Sequence, residues 1–199
     1  MRNILVIMAL AALAAGCSKP SATLPPPLTD AQINEAIDYG QKNAELTNDE
    51  FTKDWTVDLG YEQGKGRVTL ITPYLRTALL GRQASGLHQK PDRKLVDTAL
   101  REDAGKIRFR VMLYGDEPDF CKTIKFQLKC NGTAREPIYR HIPPYGEFSR
   151  DYYNISSGDV KFDGTGIPND AKITLVVINT DAKLKQAPVE YAFDLAKYK

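Results

Sequence analysis

The sequence has almost no net charge, only two histidines and three cysteines, and no apolar run of the roughly 20 residues that a bilayer-spanning helix requires. Each shortage excludes something. A formal charge of +2, from 27 basic and 25 acidic residues, gives no overall field to attract a phosphate backbone, which argues against nucleic-acid binding. The two histidines, His88 and His141, are too far apart for a His-Glu-x-x-His zinc motif. No Gly-x-Ser-x-Gly elbow surrounds a serine, and no glycine loop is built to cradle phosphates. His88 falls near an expected helix end and His141 closes an expected strand, so neither calls for a catalytic explanation. Carboxylate pairs distant in sequence stay open as acid–base catalysts, yet no pattern selects one. The sequence reads as a chain without catalytic machinery, cofactor or resident metal.

What is present starts at the amino terminus. Arg2 precedes an uninterrupted apolar run, Ile4 to Ala15, and small residues follow, which is the layout of a secretory signal peptide. The run ends Leu13-Ala14-Ala15-Gly16-Cys17 and resembles the lipobox of bacterial lipoproteins. Gly16 and Cys17 fit its small residue and new amino-terminal cysteine, whereas Leu13 stands one place before the usual leucine position, held here by Ala14. The resemblance implies cleavage between Gly16 and Cys17, a diacylglyceryl thioether on Cys17 and a fatty-acylated (palmitate-type) amino terminus. The alternative is ordinary secretory cleavage nearby, leaving a free cysteine. Two or more acyl chains anchor a protein stably where one does so only marginally. The resemblance therefore places the protein on a cell-envelope membrane, and Ser18 favours the outer membrane facing the periplasm if the source is Gram-negative.

With 1–16 as leader, residues 17–28 read as the lipidated cysteine and its tether, and 29–199 as one domain. Ser18 to Pro27 contains four prolines and no periodicity, so it reads as a stiff spacer of about 3 Å per residue. Pro25-Pro26-Pro27 also suits a groove-bearing partner. Thr29 and Gln32 fit a capping box before a helix with Ile33, Ala36, Ile37, Gly40 and Ala44 on one face. Alternation then predicts strands over Trp55–Leu59 and Arg67–Ile71. Thr72-Pro73 opens a helix carrying Leu75, Ala78 and Leu79. Pro91-Asp92 opens another with Leu95, Val96, Ala99 and Leu100 inward, closed by Gly105. Beyond it, strands are expected near 107–113, 123–129, 136–141, 148–156, 160–162, 172–178 and 189–195, with Asn131-Gly132 as a hairpin turn. The expected fold class is α+β, mainly β. It is an antiparallel β-sandwich (Ig-like or C2-like) with an N-terminal helix and a helical pair inserted after the second strand.

Three groups are candidate sites. Cys121 and Cys130 form an even pair suited to an oxidising compartment, but one extended strand between them would hold their Cα atoms nearly 30 Å apart, beyond a disulfide's reach. Asp116, Glu117 and Asp119 cluster in a turn, as do Asp163, Asn169 and Asp170 nearby in sequence; either suits weak Ca²⁺ binding or a solvated bend. Tyr139, Tyr145, Phe148, Tyr152 and Tyr153 surround Pro143-Pro144. Such rings either fill a core or present a surface to sugars or to a protein, because tyrosine joins rigid apolar area to a polar tip. The functional expectation is a lipid-anchored, non-catalytic domain that binds or scaffolds an envelope protein. Glycan binding or processing, and a Ca²⁺-stabilised module, are the alternatives.

Overall fold

The computed structural model describes residues 27–149, 153–184 and 186–198. Gly16, Cys17 and most of the tether lie outside the described residues, as does Tyr152. Among the described residues the fold is α+β, mainly strands, with four α-helices and two antiparallel sheets. The chain starts with α1 (Asp30–Lys42) and α2 (Asn48–Thr52), then the hairpin β1 (Thr56–Asp58) and β2 (Gly66–Ile71). The helices α3 (Pro73–Gly86) and α4 (Arg93–Asp103) follow. The remainder is β3 (Lys106–Gly115), β4 (Ile124–Cys130), β5 (Thr133–Arg135), β6 (Tyr139–His141), β7 (Glu147–Phe148), β8 (Asn154–Asp163), β9 (Lys172–Asn179) and β10 (Val189–Asp194).

The larger sheet is ordered β1-β2-β3-β8-β6, with β7 also paired to β8, and the smaller sheet is ordered β10-β9-β4-β5. Strand alternation sets the inner face. Phe109, Val111 and Leu113 of β3 meet Phe126 and Leu128 of β4, Leu175 of β9 and Phe193 of β10 in one buried cluster shared by both sheets. Each such side chain contributes about 1.5–3 kcal/mol when buried, so this shared cluster dominates the fold's stability. The β4–β5 turn takes positive φ at both Asn131 and Gly132 (48° and 77°), the handedness that a two-residue hairpin demands.

A second, smaller cluster joins the helices to the outer face of β2, where Ile71 meets Ala36, Phe51, Trp55, Tyr74, Leu75 and Ala78. Thr29 and Gln32 close the expected capping box on α1, and Thr47 and Glu50 close another on α2. α1 crosses α3 with backbones in near contact. A methyl group added at Gly40 would overlap the Ala78 carbonyl oxygen, and one added at Gly81 would stand 2.6 Å from the Ile37 carbonyl oxygen. Arg82 of α3 ties down the loop after α1 by donating to the carbonyls of Ala44 (3.2 Å) and Leu46, while lying 4.8 Å over the Phe51 ring.

The structure departs from the sequence reading in several places. Trp55 sits in a 3-10 turn rather than in β1, stacked on Tyr74 at 6.4 Å in the helical cluster. Leu95, expected inward, is exposed on α4, while Val96 and Ala99 carry the buried stripe. The strands expected over 148–156 and 160–162 are one ten-residue strand from Asn154, preceded by the short β7. Gly158, which falls between those two expected strands, continues β8 because β3 pairs with it in register from Lys106 to Gly115. The same glycine admits the His141 carbonyl, where a Cβ would collide.

A candidate binding surface on the larger sheet

The helices cover the outer face of the larger sheet on its β1–β2 side, and register fixes what stands on the rest. One row across the sheet runs Ile71, Arg108, Lys161, Tyr139; the next runs Thr69, Arg110, Asp159, His141; a third holds Arg67, Met112 and Ser157. Alternation that sends Phe109 and Val111 inward necessarily sends Arg108 and Arg110 outward.

Arg108 is the centre of an ion network. It donates to Asp103 at 3.0 Å and to Asp159 at 2.8 Å, and Lys161 donates to the other oxygen of Asp103 at 2.7 Å. Arg110 stands 3.5 Å from Asp159 in a looser ion pair. Burial pushes the Asp103 carboxyl upward, but Lys161 and Arg108 outweigh it and hold it below the usual carboxylate range. Burial would likewise depress Arg108, but Asp159 and Asp103 raise it on balance. Asp103 ends α4, so the network also staples that helix to β3 and β8.

The edge beyond β8 is where the aromatic residues lie. Ile138, Tyr139, Tyr145 and Phe148 are 56%, 47%, 59% and 70% exposed, so these rings do not fill the core, one of the two roles their sequence allowed. The core side of β6 is used by Arg140 instead, which donates to the Cys121 carbonyl at 2.8 Å and lies 5.7 Å from the Phe126 ring. Alternation then puts Tyr139 and His141 outside, their rings 6.5 Å apart. Tyr153 is half-buried against Tyr114, 6.3 Å between rings. The segment is held in place: Gly146 donates to the Pro118 carbonyl at 2.7 Å and Ser156 to that of Pro143 at 3.0 Å. Cations flank both tyrosines, with Lys122 4.4 Å over Tyr145 and Lys161 5.7 Å over Tyr139.

The other candidate residues do not join this surface. Cys121, in a 3-10 turn, and Cys130, at the far end of β4, are buried free thiols; the bridge weighed from their number is not formed. Extended β4 separates them, as strand geometry demands. Burial pushes the Cys121 thiol up, with Ser156 and Arg140 pulling less strongly the other way, so it has little thiolate character. Asp163 accepts from the Thr165 amide and hydroxyl at 2.9 and 2.7 Å, which satisfies a turn. Asp119 pairs with Lys122 at 3.3 Å. Among the described residues no group of three or more His, Cys, Asp or Glu side chains is arranged to hold a metal ion. His88 follows α3 at a φ of 54°, remote in the sequence from the outer-face rows. No described helix is long and apolar enough to cross a membrane.

Two clefts open where the described chain begins. One of about 380 Å³ is lined by Leu28, Leu70, Ile71, Ile107, Leu195 and Tyr198, among others; the second, of about 580 Å³, shares Pro27, Leu28 and Pro73 with it. No family model, curated protein or solved structure matches the chain.

Proposed function

We propose that this chain is a lipid-anchored protein of the bacterial envelope whose domain binds a protein partner and performs no catalysis. The anchor is the acylated Cys17, released behind Gly16, with residues 18–27 as spacer; Ser18 favours the outer membrane of a Gram-negative source. The domain is read as a β-sandwich, Ig-like or C2-like in kind, because two antiparallel sheets share one core. The observation that supports binding is the aromatic edge. Ile138, Tyr139, Tyr145 and Phe148 are all about half exposed or more along one side of the larger sheet. Exposed apolar clusters rimmed by polar groups mark interaction sites, and tyrosine-rich patches form the centres of protein interfaces.

A protein partner is favoured over a glycan because Lys122 and Lys161 already lie over the Tyr145 and Tyr139 rings, leaving less free ring face for sugar stacking. Photo-crosslinking in cells from positions 138 and 145 should trap one discrete envelope protein. The reading is abandoned if no protein is trapped and the purified chain instead hydrolyses envelope polymers. Titration with peptidoglycan or polysaccharide fragments separates the glycan reading, which needs changes in tyrosine fluorescence. Cys17→Ala should abolish incorporation of labelled fatty acid. For the Ca²⁺-stabilised alternative, a melting midpoint unmoved by chelator is expected, since the Asp163 carboxylate already accepts two hydrogen bonds from Thr165 within its turn.

A further inference from the structure

The two hydrophobic clusters approach each other where β2 stops and β3 starts, and the cleft of about 380 Å³ opens along the seam between them. Leu70, Ile107 and Leu195 reach it from the cluster between the sheets, Ile71 reaches it from the helical cluster, and Tyr198 packs against both. Leu70, Ile71, Ile107 and Leu195 are each less than a tenth exposed, so the floor of the cleft is core surface rather than a loop. Pro27, Leu28 and Pro73 add further apolar wall. Pockets that hold a small molecule measure about 300–1,000 Å³ and are mostly apolar, with a few polar groups that fix orientation. This cleft fits both descriptions.

Its charge is of one sign. Among the described residues the charged side chains that line it are Lys106 and Arg108, and no carboxylate does. Arg108 is neutralised, because its terminal nitrogens donate to Asp103 and Asp159. Lys106 is not. Its Nζ donates to the Glu102 carbonyl at 2.6 Å, a neutral acceptor, and it makes no ion pair among the described residues. Asp163 stands opposite Lys106 in the β3–β8 register but accepts from Thr165 instead. An ammonium has three donors, so Lys106 keeps capacity for an anion. The neighbouring cleft of about 580 Å³ carries both signs, with Arg93 already paired to Asp30 at 2.6 Å and to Asp97 at 2.9 Å.

We infer that the cleft binds a free fatty acid, with the acyl chain between Leu28, Ile71, Ile107 and Tyr198 and the carboxylate on Lys106. A seam between packed side chains suits a flexible chain, which follows its bends, better than a rigid ring. One unneutralised ammonium matches the single charge of a carboxylate. A phosphate monoester head carries about −1.5 to −2 near pH 7, more than that one ammonium offsets. The site lies at the Lys106 end of β3, whereas Phe148 stands opposite Asn154 and so by the Gly115 end. Ten extended residues separate the two ends, about 30 Å. The site therefore stands whether or not a protein docks on the aromatic edge.

The test is calorimetric titration of residues 17–199 carrying Cys17→Ser, a form that needs no competing detergent. The ligands are octanoate, decanoate and dodecanoate below their micelle concentrations, with 1-decanol, decyltrimethylammonium and 1-naphthoate for comparison. Decanoate should bind saturably, and affinity should rise by up to about fourfold per added methylene until the cleft is filled. The alcohol, the cation and the naphthoate should each bind about tenfold or more weakly than decanoate. Lys106→Met keeps the apolar stem and should weaken decanoate by about tenfold while leaving 1-decanol unchanged; Lys106→Arg should retain most of the affinity. Leu28→Glu, at a half-buried position, places a carboxylate in the cleft and should abolish decanoate binding with the far-ultraviolet spectrum unchanged. No saturable decanoate binding at millimolar concentration overturns the inference. So does an affinity that does not rise with chain length, equal binding of 1-decanol or 1-naphthoate, or decanoate binding untouched by Lys106→Met. None of these results bears on the crosslinking at 138 and 145.

Discussion

Tyr191 offers a direct test of the core. On β10 it points into the cluster between the sheets, is fully buried, and its hydroxyl has no hydrogen-bond partner among the described residues. A buried polar group without a partner costs about 1–3 kcal/mol. Tyr191→Phe removes that penalty and keeps the ring. It leaves a void the size of one oxygen, which at about 24 cal/mol per Å³ costs a few tenths of a kcal/mol. The substitution should therefore stabilise the protein by about 0.5–2 kcal/mol. Equilibrium urea unfolding should show this as a higher midpoint at unchanged slope, and the thermal midpoint should rise by about 2–4 °C per kcal/mol for a chain of this size. The pH dependence gives a second reading. Burial, and to a smaller degree the charge of Asp58, raises the Tyr191 pKa. Above pH of about 10 the unfolded phenol ionises while the folded one stays neutral, so stability falls as pH rises. Tyr39, Tyr114 and Tyr198 are also raised, so Tyr191→Phe should make that alkaline loss shallower without removing it. Destabilisation by about 1 kcal/mol or more would refute the reasoning, because it would mean that the hydroxyl has a partner inside the core.

Arg108→Ala should cost about 1.5–3 kcal/mol in urea unfolding, because it leaves Asp103 with Lys161 alone and Asp159 with only the looser Arg110. The pKa of Asp103 is depressed, so its stabilisation is present above the unfolded value of about 4 and fades as pH falls below it; Lys161→Met should flatten that acid limb of the stability profile. Gly40→Ala gains helix propensity of up to about 1 kcal/mol but forces α1 from α3, for a net loss of about 1–3 kcal/mol by thermal unfolding. In a Cys17→Ser chain, no thiol should react with an aromatic disulfide reagent under native conditions and two should react after denaturation, reporting Cys121 and Cys130; a reactive native thiol would contradict their burial.

Much of the scaffold was legible because it is local. Thr29 with Gln32, and Thr72 with Pro73, signal helix starts within a few residues, and Asn131-Gly132 signals a hairpin through its own backbone preference. In β3 the apolar residues Phe109, Val111 and Leu113 alternate with Arg108, Arg110 and Met112, and that local pattern marks the face that is buried. Local pattern failed where a distant partner decided the outcome. Gly158 continues a strand because β3 lies alongside it, and Trp55 leaves β1 to stack on Tyr74 of another helix. The candidate site was less legible than the fold. The aromatic stretch was visible as composition, but whether its rings faced core or solvent depended on Arg140 occupying the inner side of β6.

The sequence by itself determined the apolar run ahead of Cys17, the proline-rich composition of residues 18–27 and the periodicity of the main elements, since each depends on residues within one or two turns of each other. Only the tertiary structure decided which charges meet. Asp103, Arg108, Arg110, Asp159 and Lys161 come from a helix end and two strands, and no short-range pattern links them. A chain whose formal charge is only +2 nonetheless gathers Arg108, Arg110 and Lys161 around Asp103 and Asp159 on one sheet face. Net charge is a sum over the whole chain, whereas electrostatic recognition depends on distances of a few ångströms that folding alone sets.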